Sequence, residues 1–194
     1  MARRRLDAEQ SRTLILDAVE RLMQREGYAV VNTRSVATEA GLKPPLVHYH
    51  FDTTDNLLLE SYRRSAARSE ILLRTALQSD RPLKALWDHE ADPVRTVLAA
   101  QFMALAQQRP SIREEMERNV EKFRHMEAEA LRPMLQARQL ESRGFSPSVV
   151  AMLIAALGRA FAMEGTIGVH AGHEGVRALV EKFIDMVEPT PTGG

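Results

Sequence analysis

The stretch Ala40-Gly-Leu-Lys-Pro-Pro-Leu-Val-His-Tyr-His-Phe51 decides how the first third of this chain folds. Its two adjacent prolines and closing cluster of rings admit a loop, a broken helix or a helix that begins at the prolines. Proline is tolerated in the first helical turn, where its missing N–H would have had no intrahelical partner and its fixed φ already suits a helix. Lys43-Pro44-Pro45 therefore reads as a start signal, and a short helix is predicted over about 44–50. Because neither proline offers a backbone N–H, an anion at that terminus has to be met by side chains.

Working outward, Gly41 supplies the left-handed conformation of a tight turn and ends a preceding short helix over 34–40, for which Thr33 is the expected N-cap. Further upstream, Leu14, Ile15, Ala18, Val19, Leu22 and Met23 mark one face of a helix from about Ala8 to Glu26, stopped by Gly27. Downstream, Asp52, Thr53 and Thr54 form a capping cluster ahead of a long helix that runs to about Gln78. Two short helices that cross steeply need a small residue in the first, a glycine in the turn and a branched apolar residue in the second. Ala37, Gly41 and Val47 meet that requirement in order, with Val36, Ala40 and Leu42 as further buried contacts. An ordinary turn between two helices has the same pattern.

The run from Thr33 to Leu58, preceded by an amphipathic helix ending at Gly27-Tyr28, resembles the DNA-binding domain of the tetracycline-repressor (TetR) family. The residues that carry the resemblance are Gly27-Tyr28, Thr33-Arg-Ser-Val-Ala37, Ala40-Gly-Leu42, Val47, His50-Phe51 and Leu57-Leu58. The resemblance implies a helix-turn-helix DNA-binding domain over 1–54, and over 55–194 a helical effector-binding and dimerisation domain, with the helix over 55–78 linking the two. It implies a homodimer on a double-stranded, palindromic DNA operator and a small-molecule effector. A repressor is the expected sense of regulation. Two positions depart from the family pattern: His48 stands where the family has a tyrosine, and Thr54 stands where it has a phosphate-binding lysine.

By position, Arg34 and Lys43 are the candidates for guanine edges or phosphate, since both present donors only. Pro44 and Leu46 suit a thymine methyl. Thr33, His48, Tyr49, His50 and Thr54 offer hydrogen-bonding groups to phosphate or base edges. The competing reading for one histidine, His50 above all, is a ring packed beneath Phe51. Arg3, Arg4 and Arg5 read either as a minor-groove arm or as a solvated terminus.

The rest of the chain is helical by pattern, with breaks at 79–82, 91–93, 109–111, 144–147 and a glycine-rich turn from Gly165 to Gly175. Segments over about 82–90, 93–108, 111–140, 147–165 and 175–188 follow, so the fold class is all-α with about nine helices. Lys plus Arg and Asp plus Glu both number 26, and residues 1–50 carry a balance of +2, which excludes bulk polybasic character. There is no cysteine, hence no disulfide. Acidic residues interrupt any signal-like apolar run at the N-terminus, and the apolar stretch 148–159 falls short of a bilayer's thickness. A cytoplasmic protein without a membrane partner is expected.

No sequence pattern supports catalysis, and no cofactor is expected. His48 and His50 do not share a helix face, while His170 and His173 make a two-ligand set too weak for a metal. Trp87, His89, Phe102, Phe123, His125 and Met126 are the expected lining of a largely apolar effector pocket, core packing being the other reading. The apolar segments 148–163 and 175–188 call for cover on several sides. Resemblance to the family implies that they pair with their copies in a dimer; burial inside one subunit competes. Set against the regulator as a whole stands a second function, an all-α protein-interaction module whose helix-turn-helix serves packing only.

Overall fold

The computed structural model describes residues 7–189, so the Arg3–Arg5 arm lies outside the described residues. Nine α-helices account for the architecture, and no strand occurs among the described residues: α1 Ala8–Glu26, α2 Thr33–Ala40, α3 Pro44–His50, α4 Thr54–Leu77, α5 Pro82–Glu90, α6 Pro93–Gln108, α7 Pro110–Ala137, α8 Pro147–Thr166 and α9 His173–Val187. Short 3-10 turns at Tyr28–Val30 and Glu141–Arg143 complete it. The glycine-rich turn is narrower than the sequence suggests. Gly165 lies in α8 and Gly175 in α9, and Gly172, left-handed, precedes the first residue of α9.

The chain divides into two compact units, and the division departs from the expected boundary at 54/55. The first unit comprises residues 1–67 and 98–116, the second 68–97 and 117–194. Burial supplies the reason. Leu57, Leu58, Tyr62 and Ala66 of α4 join Ile15, Val19, Met23, Val36, Val47 and Phe51 in one apolar core, together with Phe102, Leu105 and Ile112 from the later segment. The division falls within α4, whose residues up to Ala67 belong to the first unit and those from Arg68 to the second.

Polar contacts fasten the first unit around that core. Gln101 Oε1 accepts from the Tyr28 N–H at 3.0 Å, and the Phe102 ring meets Tyr62 edge-on at 5.3 Å. Arg64 spans from α4 to Asp17 and Glu20 of α1, at 2.7 and 2.8 Å.

The second unit has its own core, with Leu73, Leu83, Leu86, Trp87, Leu131, Leu135, Ile154 and Ile184 buried. The buried Glu188 carboxylate accepts from the Leu83 and Lys84 N–H groups, capping α5 from the chain's far end. α8 crosses α5 where Gly158 permits close approach: a Cβ there would stand 2.8 Å from the Glu90 carbonyl carbon. Alanine is favoured over glycine by about 1 kcal/mol in a helix interior, but a rigid clash with backbone outweighs it. Gly158→Ala should therefore destabilise the second unit by about 1–3 kcal/mol in urea denaturation. An unchanged or higher midpoint would show that α5 and α8 separate freely.

α8 also corrects the reading of its apolar stretch as too short to span a bilayer. The helix continues past Arg159 through Phe161 to Thr166 and, by length and composition alone, is long and apolar enough to cross one. One side is nonetheless engaged within the unit, by Gly158 and by Arg159 Nη1 donating to Glu90 at 3.4 Å.

Candidate nucleic-acid interface and effector region

Local rules place the helix-turn-helix. The N-cap of α2 is Asn32, one residue before the expected Thr33: its side chain accepts from the Arg34 and Ser35 N–H groups while the Ser35 hydroxyl accepts from the Asn32 N–H. Thr33 is thereby the first helical residue and is partly buried. Gly41 is left-handed, with φ 67°, and its N–H bonds back to Ala37 and Thr38. α3 begins at Pro44 with Lys43 at its N-cap, and Val47 alone of its residues is buried. The α4 cap is Thr53, whose hydroxyl accepts from the Asn56 N–H, which leaves Thr54 as the first, half-buried residue of that helix.

The expected contact residues separate by side. Arg34, Lys43, Pro44, His48 and Tyr49 are exposed, and Leu46 is half-buried. Tyr49, at 76% exposure, is the most open large hydrophobic side chain of α3. Neither Arg34 nor Lys43 makes an ion pair with another described residue, whereas Arg21 and Arg25 are both engaged by Glu39 at 2.8 and 2.9 Å. Those arginines, Arg25 foremost, hold the Glu39 carboxyl down at about 2. The charge left uncompensated on this face thus sits at the start of α2 and of α3.

His50 turns the other way. Its ring is half-buried beside Phe51, with Nε2 buried and lacking a hydrogen-bond partner. Burial, aided by the Arg12 charge, holds its pKa below the usual histidine value. Arg12 lies over the Phe51 ring at 4.6 Å and pairs with Glu60. His50 therefore occupies the packing position, while His48 faces outward.

The six residues expected to line an effector pocket are divided between the two units. Phe102 is 1% exposed within the first unit's core, and His125 is exposed. Trp87, His89, Phe123 and Met126 fall in the second unit. There Trp87 is buried edge-on to Phe161 at 5.5 Å, and burial, followed by the Arg95 charge, pushes His89 down to about 4.

Two features of this unit were missed. One is a partly buried ionic cluster of Glu90, Arg95, Arg124, Glu127 and Arg159; the spacing Phe123, Glu127, Leu131 sets Glu127 on the apolar face of α7 and was the available signal. Glu127 is itself buried, and that burial pushes its pKa up to about 7. The other is a groove of about 280 Å³ between α8 and α9, lined wholly by apolar side chains such as Phe145, Leu153, Leu179 and Phe183.

Residues 15–61 match the family of bacterial regulatory proteins described as the tetR family. The described helix-turn-helix lies within that span, so this part of the chain is a tetR-family DNA-binding domain. No curated protein matches the chain in sequence.

Solved structures share the fold at low identity. A TetR transcription regulator from Haloarcula marismortui superposes with a TM-score of 0.69 at 17% identity, covering 92% of this chain and 98% of that one. A protein from Saccharomonospora viridis, proposed as a transcriptional regulator and solved with choline, gives 0.74 at 21% identity, covering 91% and 96%. One from Pseudomonas aeruginosa PAO1, proposed as a transcriptional regulator, gives 0.70 at 22% identity, covering 95% and 93%.

Proposed function

We propose that this chain is a ligand-responsive repressor that binds a palindromic operator as a homodimer and leaves it when a small molecule occupies the second unit. The observation that carries the DNA-binding face is the pair of exposed cations Arg34 and Lys43, neither ion-paired with another described residue, beside the outward His48 and Tyr49. Half-sites about one helical turn apart, roughly 34–36 Å, suit a two-fold dimer with one α3 in each major groove. The apolar groove and the exposed Met152, Leu153, Leu179 and Met186 favour pairing of α8 and α9 with a second copy. An effector coupling of about 1–3 kcal/mol would change operator affinity about 5–150-fold. That a protein of this fold holds choline supports a small-molecule ligand here without fixing its charge.

Binding to DNA upstream of its own gene, measured by fluorescence anisotropy across a salt series with sedimentation of the complex, tests the reading. Arg34→Ala and Lys43→Ala should each weaken operator binding by about 1–3 kcal/mol, and loss of a phosphate contact should lower the salt slope by about one. Unchanged affinity and slope in both variants would place the interface elsewhere. Absence of any salt-sensitive binding by the unliganded protein would favour the protein-interaction module.

A further inference from the structure

The ionic cluster of the second unit has an ordered depth. The Glu127 side chain is 5% exposed and Glu90 13%, whereas Arg124, Arg95 and Arg159 rise through 21%, 24% and 37%. The carboxylates are the deeper members and the guanidiniums the more exposed. Each member is poorly served. Arg124 Nη1 donates to Glu127 at 3.0 Å, Arg159 reaches Glu90 at only 3.4 Å, and Arg95 approaches Glu90 at 4.0 Å. Arg95 donates to the His89 carbonyl, yet its Nε is buried with no partner. Ion pairs built on buried carboxylates are a poor source of stability compared with apolar packing, so a cluster left partly unsatisfied suits a ligand that completes it.

Charge decides what that ligand is. The charged groups acting on Glu127 are Glu90 from α5, Arg95 from α6, Arg124 from α7 and Arg159 from α8, while His89 and Asp92 lie about Arg95. With Glu127 ionised, three guanidiniums meet three carboxylates, His89 being neutral near pH 7. Once Glu127 takes a proton, Arg124 loses its ionic partner and one positive charge is uncompensated. Trp87 stands one turn before Glu90 on α5, and Phe123 one turn before Glu127 on α7, so apolar surface adjoins the ions on both helices.

We propose that this cluster is the polar end of the effector site and takes a small organic monoanion, held by Arg124, Arg95 and Arg159, with uptake of one proton by Glu127. The neutral Glu127 carboxyl donates a hydrogen bond to the anion, and the ligand's apolar body lies against Trp87, Phe123 and Phe161. This rests on the ligand-responsive reading above and adds the class of ligand.

Benzoate, benzamide and benzylammonium share a ring and differ in charge, so they serve as probes with the full-length protein at millimolar concentration. Calorimetry in two buffers of different ionisation enthalpy should show benzoate binding above the other two, with about one proton taken up per site at pH 8, and an affinity falling about tenfold per pH unit above 7. Glu127→Gln, which resembles the protonated acid, should bind benzoate with a flat pH profile, and Arg159→Gln should lose at least tenfold in affinity. Preference for benzylammonium, benzoate binding without proton uptake, or no binding of any probe overturns the proposal; the proton count is read on the unaltered protein and does not depend on a variant folding. Operator binding without probe is measured alongside. Its absence would defeat the proposed regulator while leaving the anion site standing, and benzoate binding that leaves operator affinity unmoved would separate the site from regulation.

Discussion

Phe102→Ala should cost about 3–5 kcal/mol, the range for truncating a fully buried phenylalanine, and the loss should appear in the first unit. The ring is buried against Tyr62 among residues of α1, α3 and α4, although its sequence position groups it with the expected ligand pocket. Hydrogen exchange resolved by segment checks this. Amides of α1 and α2 should lose protection in the variant, and operator binding should weaken with them. Trp87→Ala removes a comparably buried ring from the second core, so it serves as the contrast. Loss of protection confined to α8 and α9 in Phe102→Ala would mean that the segment 98–116 does not belong with the first unit.

The second large effect is a dependence on pH. Glu127 is held at about 7 against a reference of 4.5, chiefly because burial penalises its charged form, with Glu90 acting the same way and the three arginines opposing. A raised folded pKa means that the folded state holds the proton more tightly than the unfolded chain. The stability it confers is therefore complete below about 4.5 and is lost as pH rises through about 7. The difference amounts to about 3 kcal/mol at most. His89, lowered to about 4, acts in reverse, losing stability as pH falls from 6.5 toward 4, so the two partly cancel in the unaltered protein. Glu127→Gln should accordingly gain on the unaltered protein between pH 5 and 8 when both are unfolded in urea. A difference that stays constant across that range would show that Glu127 is ionised throughout.

Much of the fold was legible because punctuation in this chain is chemically unambiguous. Pro44, Pro82, Pro93, Pro110 and Pro147 each stand at the first position of a helix, where the ring fits and no hydrogen bond is forfeited. The cap of α2 was displaced by one residue because Asn32 and Thr33 are both competent caps, and only the geometry shows Asn32 accepting two N–H groups. Exposure of Arg34 and Lys43 followed from their places beside the turn. Periodicity says that a side chain is buried, not against what. Phe102 sits on a helix apolar around most of its circumference, so its assignment to the first core required the tertiary structure. Glu127 was hidden differently, since Arg-His-Met-Glu-Ala-Glu over 124–129 reads as a solvated face until the stripe through Phe123 and Leu131 is followed. His50 was indistinguishable in type from His48, and the rotation of a seven-residue helix separated them.

The composition of the first unit from two stretches of sequence has a genetic consequence. In a selection for cells that have lost control of the regulated gene, disabling alleles that act by unfolding the DNA-reading unit would not form one block at the 5′ end of the coding sequence. They would fall in two windows, codons up to 67 and codons 98–116, divided by a stretch whose residues belong to the other core. Alleles in that interval would answer to a different cause, and the map of where regulation fails would trace the boundary between the units.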